Sequence, residues 1–316
     1  MPVSPRVVAV VVTWNRRELL TEALDALAAQ TYPLAGTVVV DNASSDGTAA
    51  GVRAAYPSVD LVPLTRNTGG AGGFAVGIER ALETHHPDLL WLLDDDTVPD
   101  PTALEALVAA RGRYRGTPPS VLASRVVWTD GRDHPMNTPR RKPMVSAPER
   151  ADAGAVGALP VRSASFVSIA VDAMAVRERG LPVADYFLWN DDFEFTTRLL
   201  RDRVGLHVPA SRVVHKTRTF GSTDADPGDR FFFEVRNKVW LFTRSPGLAP
   251  LERLLYAGST ARRWARTFAS SSDRRTLLRG LGRGVVAGLR HGPRPTRDVV
   301  ASALPGHVEA AGDDDD

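Results

Sequence analysis

The chain contains no cysteine among its 316 residues. That excludes a disulfide framework, a thiolate nucleophile and any thiolate metal site. A metal would have to be held by oxygen or imidazole, and a cytoplasmic location is expected. There is no run of about 18 apolar residues, the length a membrane-spanning helix needs. The opening "MPVSPRVVAVVVTWN" lacks the basic start, long apolar run and small-residue cleavage site of a secretory leader, and reads as a strand. Its one glycine-rich turn, "RNTGGAGG" (66–73), fits neither the phosphate-loop pattern GxxxxGK(S/T) nor the dinucleotide pattern GxGxxG. Net charge is small, +2, but unevenly spread. Arginine crowds "RLLYAGSTARRWARTF" and "DRRTLLRGLGRGVVAGLRHGPRPTR" before a terminal "DDDD". Such a basic stretch suits an anionic membrane surface or nucleic acid.

What is present is an alternation of short apolar runs with helical patterns. "RVVAVVVT" (6–13), "GTVVVDNAS" (36–44), "DLVPLT" (60–65) and "DLLWLLDDD" (88–96) read as strands. Leu19, Leu20, Ala23, Leu24 and Leu27 recur at helical spacing after the first, and helices are expected after each of the others. Four such alternations imply an α/β fold with a mostly parallel sheet flanked by helices. Residues 128–160, rich in Pro, Arg and Asp, read as a long loop or a strand pair flanking a mobile lid. Beyond them, 185–206 reads as a loop entering a helix, 207–217 as a strand ending at His215, and 230–244 as a helix with an aromatic face.

In parallel α/β sheets ligands bind at the carboxyl ends of the strands. The polar residues Thr13–Asn15, Asp41–Asn42, Arg66–Asn67 and Asp94–Asp96 all fall there. The aspartate triplet is either a solvated loop or a seat for a hard cation such as Mg²⁺ or Mn²⁺, which often bridges to phosphates. The glycines, Gly70 among them, either form a plain turn or let backbone approach an anion at a helix N-terminus. Asp41 either caps a turn or bonds a ribose or base. In the second acidic cluster, "WNDDFEF" (189–195), Asp191 with Glu194 could form a capping box, while Asp192 could take a proton from a hydroxyl. His215 is either structural or a third metal ligand.

These motifs, "VVVTWNR", "VVVDNASSDGT", "RNTGGAGGFAVG", "WLLDDD", "WNDDFEF" and "VVHKT", resemble in order and spacing a family-2 glycosyltransferase of the GT-A, Rossmann-like fold, over roughly residues 6–243. "TWNR", "NTGGAGGF" and "WNDDFEF" are most similar to actinobacterial galactofuranosyltransferases of cell-wall galactan synthesis. A rhamnosyltransferase, the nearest alternative, has "ED" where this chain has "NDD". The resemblance implies a catalytic domain at 1–245, a basic helical region at 246–300 and a disordered acidic tail at 301–316. It implies a UDP-sugar held by Thr13, Asn15, Arg16, Asp41, Arg66, Asn67, Gly70, Asp94 and Asp95. Mn²⁺ or Mg²⁺ would sit on Asp94, Asp96 and His215. Asp192 would be the base, with Asp191 beside it, and Trp189 and Asp191 would meet the acceptor. The implied acceptor is a lipid-linked glycan at the inner face of the cell membrane, with no nucleic acid partner. The chain lacks the N-terminal β-domain of the long polymerising enzymes, so an initiating or short-chain enzyme is expected.

The chemistry agrees with the residue types. A cation neutralises a departing diphosphate, and one displacement by a deprotonated hydroxyl inverts the anomeric carbon. A glycosidase would need two carboxylates flanking one bond and no diphosphate site. A nucleotidyltransferase would carry a basic glycine-rich loop near the first strand, where "VVTWNRRELL" has no glycine. A catalytically dead nucleotide-sugar scaffold would have no need for the intact Asp94–Asp96 and Asp192.

Overall fold

The computed structural model describes residues 4–221 and 226–305. The elements run β1 (Val7–Thr13), α1 (Arg17–Ala28), β2 (Gly36–Asp41), α2 (Thr48–Ala55), β3 (Asp60–Pro63), α3 (Gly69–Thr84), β4 (Leu89–Asp94), β5 (Thr97–Pro99), α4 (Ala103–Arg113) and β6 (Val121–Val127). They continue with β7 (Arg140–Arg141), α5 (Ala147–Ala155), β8 (Leu159–Ser163), β9 (Ser168–Asp172), α6 (Ala173–Arg179), α7 (Asp191–Leu199) and β10 (Gly205–His215). The chain closes with α8 (Phe231–Thr243), α9 (Pro250–Ser270), α10 (Arg274–Arg290) and α11 (Thr296–Ala301).

The strands form one mixed sheet in the order β3-β2-β1-β4-β9-β6-β10-β8-β7, with β5 paired to β10. From β3 to β4 the pairings are parallel, as is β6 with β10, whereas β9, β5 and β8 add antiparallel pairings. All seven residues of β1 are buried, which explains its unbroken valine run. Their side chains alternate between faces. Val8, Val10 and Val12 pack with Phe74 and Ile78 of α3 and Phe195 of α7. Val7, Ala9 and Val11 pack with Leu20 and Leu24 of α1 and Leu104 and Leu107 of α4.

The glycine-rich stretch is mostly helix, not turn, because α3 begins at Gly69. A Cβ at Gly73 would stand 2.5 Å from Val12 Cγ1, and one at Gly77 would stand 2.5 Å from Val10 Cγ1. These glycines let the helix lie close on the sheet. Gly69 has φ +71°, and a Cβ there would fall 2.0 Å from the Phe187 carbonyl oxygen. Gly70 alone among these four opens onto space, where a Cβ meets nothing within 4 Å.

The structure differs from the sequence reading in three further places. Residues 97–99 form β5, a strand too short to show a period. The segment 128–160 contains the helix α5, capped by Ser146 and opened by a proline, as well as part of the β7–β8 pair. Residues 301–305 belong to the fold: the Ala303 carbonyl accepts from Thr65 N at 2.8 Å, and Ala303 is buried. The remainder of the expected acidic tail, 306–316, lies outside the described residues.

The basic helices are also tied into the catalytic body. Gly284 and Gly288 of α10 pass against Val235 and Val239 of α8. Trp240 Nε1 donates to the His291 carbonyl, and the buried Arg162 joins Glu252 of α9 to the Thr197 carbonyl of α7.

Substituting the α3 glycines tests this packing. Gly77→Ala should lower the free energy of unfolding, because overpacking of about 1–3 kcal/mol outweighs a helix-propensity gain of roughly 1 kcal/mol. Gly70→Ala should not lower it. Urea unfolding of both variants checks the contrast, and coincident midpoints would contradict it.

Candidate active site

The backbone assembles an acidic turn at the sheet's carboxyl edge. Asp94 ends β4, and Asp95 and Asp96 form the tight connection to β5. Antiparallel pairing sets Thr97 opposite His215, and Lys216 N donates to the Asp96 carbonyl at 2.8 Å. Two segments 119 residues apart in sequence thereby bring Asp94, Asp96 and His215 together, with one ligand atom from each lying within 4.8 Å of the others.

These three residues fit a divalent cation. His215 Nδ1 is 2.9 Å from Asn137 Oδ1, whose amide nitrogen donates in turn to Ser165 Oγ. With the N–H at Nδ1, the lone pair on Nε2 points at Asp96 Oδ1, 3.0 Å away. That oxygen is buried and lacks a partner with hydrogen-bond geometry. Two acceptors so close need a proton or a cation between them. Charge balance reflects the same crowding. Burial, and then Asp96, push Asp94 up to about 7. Burial opposes ionisation of Asp96, yet His215 and Arg16 hold it below the ordinary carboxylate range. Burial pulls His215 down, but Asp96 and Asp94 leave it raised.

Asp95 faces the other way and serves as a strut. It accepts from Thr13 Oγ1 at 2.8 Å, from Trp14 N at 3.3 Å and from Arg16 Nη1 at 3.1 Å, fastening the loop after β1 to the end of β4. Burial pushes it up to about 6 against the pull of Arg16. Arg16 also reaches Asp96 Oδ2 at 2.6 Å while remaining half exposed.

The other strand-end residues divide. Asp41 Oδ1 accepts from Ser44 N, so Asp41 does cap its turn. Asn15, at φ +53°, accepts from Ser45 N and thereby links the loops after β1 and β2. Asn67 Oδ1 accepts from Gly69 N at the start of α3. Arg66 is committed elsewhere: its guanidinium donates to the Val299 carbonyl and to Ser302 Oγ at the C-terminal helix. Asn42, which the sequence placed at a strand end without a role, is buried, accepts from Thr68 N and donates to the Gly69 carbonyl.

The second acidic cluster opens α7. The N-cap is Asn190, not Asp191, and no side chain caps the helix. Glu194 is not a box partner either; it is buried in an ion pair with Arg198, at 2.9 Å, and accepts from Ser245. The capping-box reading therefore fails, and both aspartates are left for other work. The approach is strained: Phe187, Trp189 and Asn190 have φ of 64°, 63° and 65°. Asn237 of α8, fully buried, shares its amide donors among the carbonyls of Tyr186, Leu188 and Trp189. Nothing in the sequence marked Asn237, because its role exists only once α8 lies against this loop.

A cavity of about 750 Å³ joins the two acidic clusters. Gly70, Asp94 and His215 line it together with Trp189, Asp191 and Asp192. Asp191 is raised well above the carboxylate range, first by burial and then by Asp192. Asp192 is raised by burial, while the Phe193 N–H, Lys238 and Arg140 oppose the shift. Both carboxyls are raised by burial, and of the two it is Asp192 that has cations, Lys238 and Arg140, beside it to favour its ionised form.

The profile of glycosyl transferase family 2 matches residues 8–156. A galactofuranosyltransferase of Mycobacterium tuberculosis, GlfT1, is 32% identical over 267 residues, covering 78% of this chain and 84% of its own. Among solved structures, S. aureus TarS 1–349 in complex with UDP is similar with a TM-score of 0.61 at 18% identity, over 89% of this chain and 80% of that one. The mannosyltransferase PcManGT from Pyrobaculum calidifontis, in complex with GDP-Man and Mn²⁺, has a TM-score of 0.51 at 19% identity, over 95% of this chain and 80% of that one. At such identities these structures establish the shared GT-A-like fold.

Removing the Asn237 amide should release the strained loop. Asn237→Leu leaves buried carbonyls without donors, at about 1–3 kcal/mol each. Chymotrypsin should then cut at Phe187–Trp189 under native conditions, where the unaltered protein resists. Equal resistance in both proteins would show that the loop holds without Asn237.

Proposed function

The chain belongs to glycosyl transferase family 2, and from that premise we propose that it moves galactofuranose from UDP-galactofuranose, with inversion, to a hydroxyl of a lipid-linked glycan acceptor. The observation that carries this reading is the single cavity that Asp94 and His215 line together with Asp191 and Asp192. The galactofuranose assignment draws on the relative that bears that activity in its name. The proposed donor site takes the nucleoside over Thr13, Asp41 and Asn67, with Arg16, Gly70 and the Asp94–Asp96 turn towards the diphosphate. Arg66, engaged with α11, and Asn15 and Asp95, engaged as struts, are left as supports of that site.

Mn²⁺ or Mg²⁺ is the proposed cofactor, held by Asp94, Asp96 and His215, and Mn²⁺ in the mannosyltransferase complex supports the choice. Bound there, it would neutralise charge on the leaving diphosphate. In the proposed step Asp192 takes the proton from an acceptor hydroxyl. The hydroxyl oxygen bonds to the anomeric carbon as that carbon's bond to the diphosphate oxygen breaks, and the electron pair leaves with the diphosphate. Asp191, pushed towards its neutral form by burial and by Asp192, donates to the acceptor in the proposed step. Trp189, 36% exposed at the cavity, offers a face to the acceptor sugar.

No helix among the described residues is long and apolar enough to cross a membrane. Peripheral attachment at the inner face is proposed instead. Leu254, at 72% exposure, and Leu251, Leu255, Leu278 and Leu289 stand out on α9 and α10 amid arginines. Each arginine near an anionic surface contributes about 1 kcal/mol, screened by salt.

Three measurements test this reading. Asp192→Asn should lower turnover about 10²–10⁴-fold with UDP binding in Mn²⁺ unchanged; retained turnover would remove it as the base. Asp96→Ala and His215→Ala should each weaken Mn²⁺ and UDP binding together, and Asn137→Leu should cost about 10–100-fold in Mn²⁺ affinity through the ring it orients. Unchanged binding in all three would remove the metal site. The full chain should co-sediment with anionic vesicles at low salt, less so as Leu254→Asp/Leu255→Asp. Point variants serve better than truncation after residue 245, which would strip α10 from α8. No co-sedimentation would point to a soluble acceptor.

A further inference from the structure

Beside the cavity lies a basic recess of about 150 Å³ between α8, α9 and β7. Lys238, Arg140, Arg263 and Arg266 line it, together with Ser259 and Thr260. Lys238, Arg140, Arg263 and Phe193 line both the recess and the larger cavity, so the two spaces adjoin. Lys238 is the unusual member. It is only 5% exposed, and among the described residues its ammonium donates no hydrogen bond. Its near neighbours are the rings of Phe193, 4.8 Å away, and Phe242, 5.9 Å away. Arg140 stands over the same Phe193 ring at 5.4 Å. Two carboxylates act on Lys238: Glu234, which is spent on Arg263, Trp264 Nε1 and Asn190 Nδ2, and Asp192, which makes no hydrogen bond to it. Burial pulls Lys238 down to about 8, so leaving its charge there without an anion is costly.

Four cations around this small polar recess face two carboxylates, Glu234 paired with Arg263 and Asp192 near Lys238 and Arg140, and the surplus of positive charge with a buried ammonium at its centre suits an anion. The donor's diphosphate has its proposed seat at Asp94, Asp96 and His215; Asp94 is a charge neighbour of Asp191, whereas Lys238 and Arg140 are the cations beside Asp192. We propose that this recess binds a phosphate-type group carried by the acceptor, so that the attacking hydroxyl is delivered to Asp192 by an anchor separate from the donor's seat. The assignment to the acceptor rests on the reading of Asp192 as the base. The recess has room for one phosphate-sized group, and Ser259 and Thr260 supply hydroxyl donors beside the cations.

Binding of inorganic phosphate to the full chain in EDTA, followed by ³¹P line broadening, tests the site with no metal present. The unaltered protein should bind, Lys238→Met should bind at least tenfold more weakly, and Lys238→Arg should restore most of the loss. Arg140→Gln/Arg266→Gln, both on the exposed rim, provides a second variant that does not disturb the core and should also bind more weakly. UDP binding in Mn²⁺ should be the same in all of them, which shows that the fold is intact. Octyl phosphate separates the sources: tighter binding than inorganic phosphate supports an acceptor phosphate attached to a lipid, and equal binding supports a soluble phosphorylated acceptor. Absence of phosphate binding, or equal binding in the unaltered protein and Lys238→Met, would overturn the proposal. If phosphate binds as expected but UDP does not bind in Mn²⁺, the anion site stands and the donor-site reading fails.

Discussion

Burial of like charge at one sheet edge is the constraint that organises this protein. Asp94, Asp95, Asp96, Asp191 and Asp192 surround or support one cavity, and each is pushed towards its neutral form by burial. Such carboxylates persist only where cations, donors or shared protons compensate them. Arg16 and His215 compensate the triplet, and Lys238 and Arg140 compensate Asp192. The compensation is uneven, which gives the acids distinct roles. Asp95 is consumed as a strut, Asp96 has His215 and Arg16 to favour its charged form, and Asp191 is pushed towards its neutral form by burial and by Asp192.

The compensating groups come from distant parts of the chain, so the backbone must be rigid where they meet. β5 is only three residues long, yet its pairing with β10 fixes His215 beside the acidic turn. Elsewhere on the cavity the chain crosses 187–190 with positive φ at Phe187, Trp189 and Asn190, which costs energy at each of the three. Asn237 and the bare backbone of Gly69 hold that crossing in place. α8 is thus a support for the reactive acids, and α9 and α10 support α8 in turn. The basic C-terminal helices therefore complete the cavity as well as presenting an exposed apolar surface.

Much of this was legible in the sequence where one local pattern has one physical reading. An unbroken apolar run such as β1 is a strand covered on both faces, and it and two further strands put Thr13, Asp41 and Asp94 at a common edge. Local rules failed where two readings compete. "TGGAGG" reads as a turn by composition, but tight packing on Val10 and Val12 makes it helix. Asp191 and Glu194 have the spacing of a capping box, but the backbone turns left-handed at Asn190, and Glu194 is drawn into the core by Arg198. Arg66 stands at a strand end like Thr13 and Asp41, and only the fold shows that its Nη2 donates to Val299 and Ser302 at the C-terminal helix.

The sequence by itself determined the parallel α/β core, the position of the aspartate triplet at a strand end and the presence of a second acidic cluster. These depend on periodicity and order along the chain. Only the tertiary structure decided which of three adjacent aspartates face His215 and which braces Thr13, because that follows from the β5–β10 register. It also decided that Asn237 and Lys238, adjacent residues on one helix, serve the strained loop and the basic recess respectively. No local pattern encodes those roles, since each arises from burial against segments about 40 to 100 residues away, where desolvation sets how much an amide donor or a charge is worth.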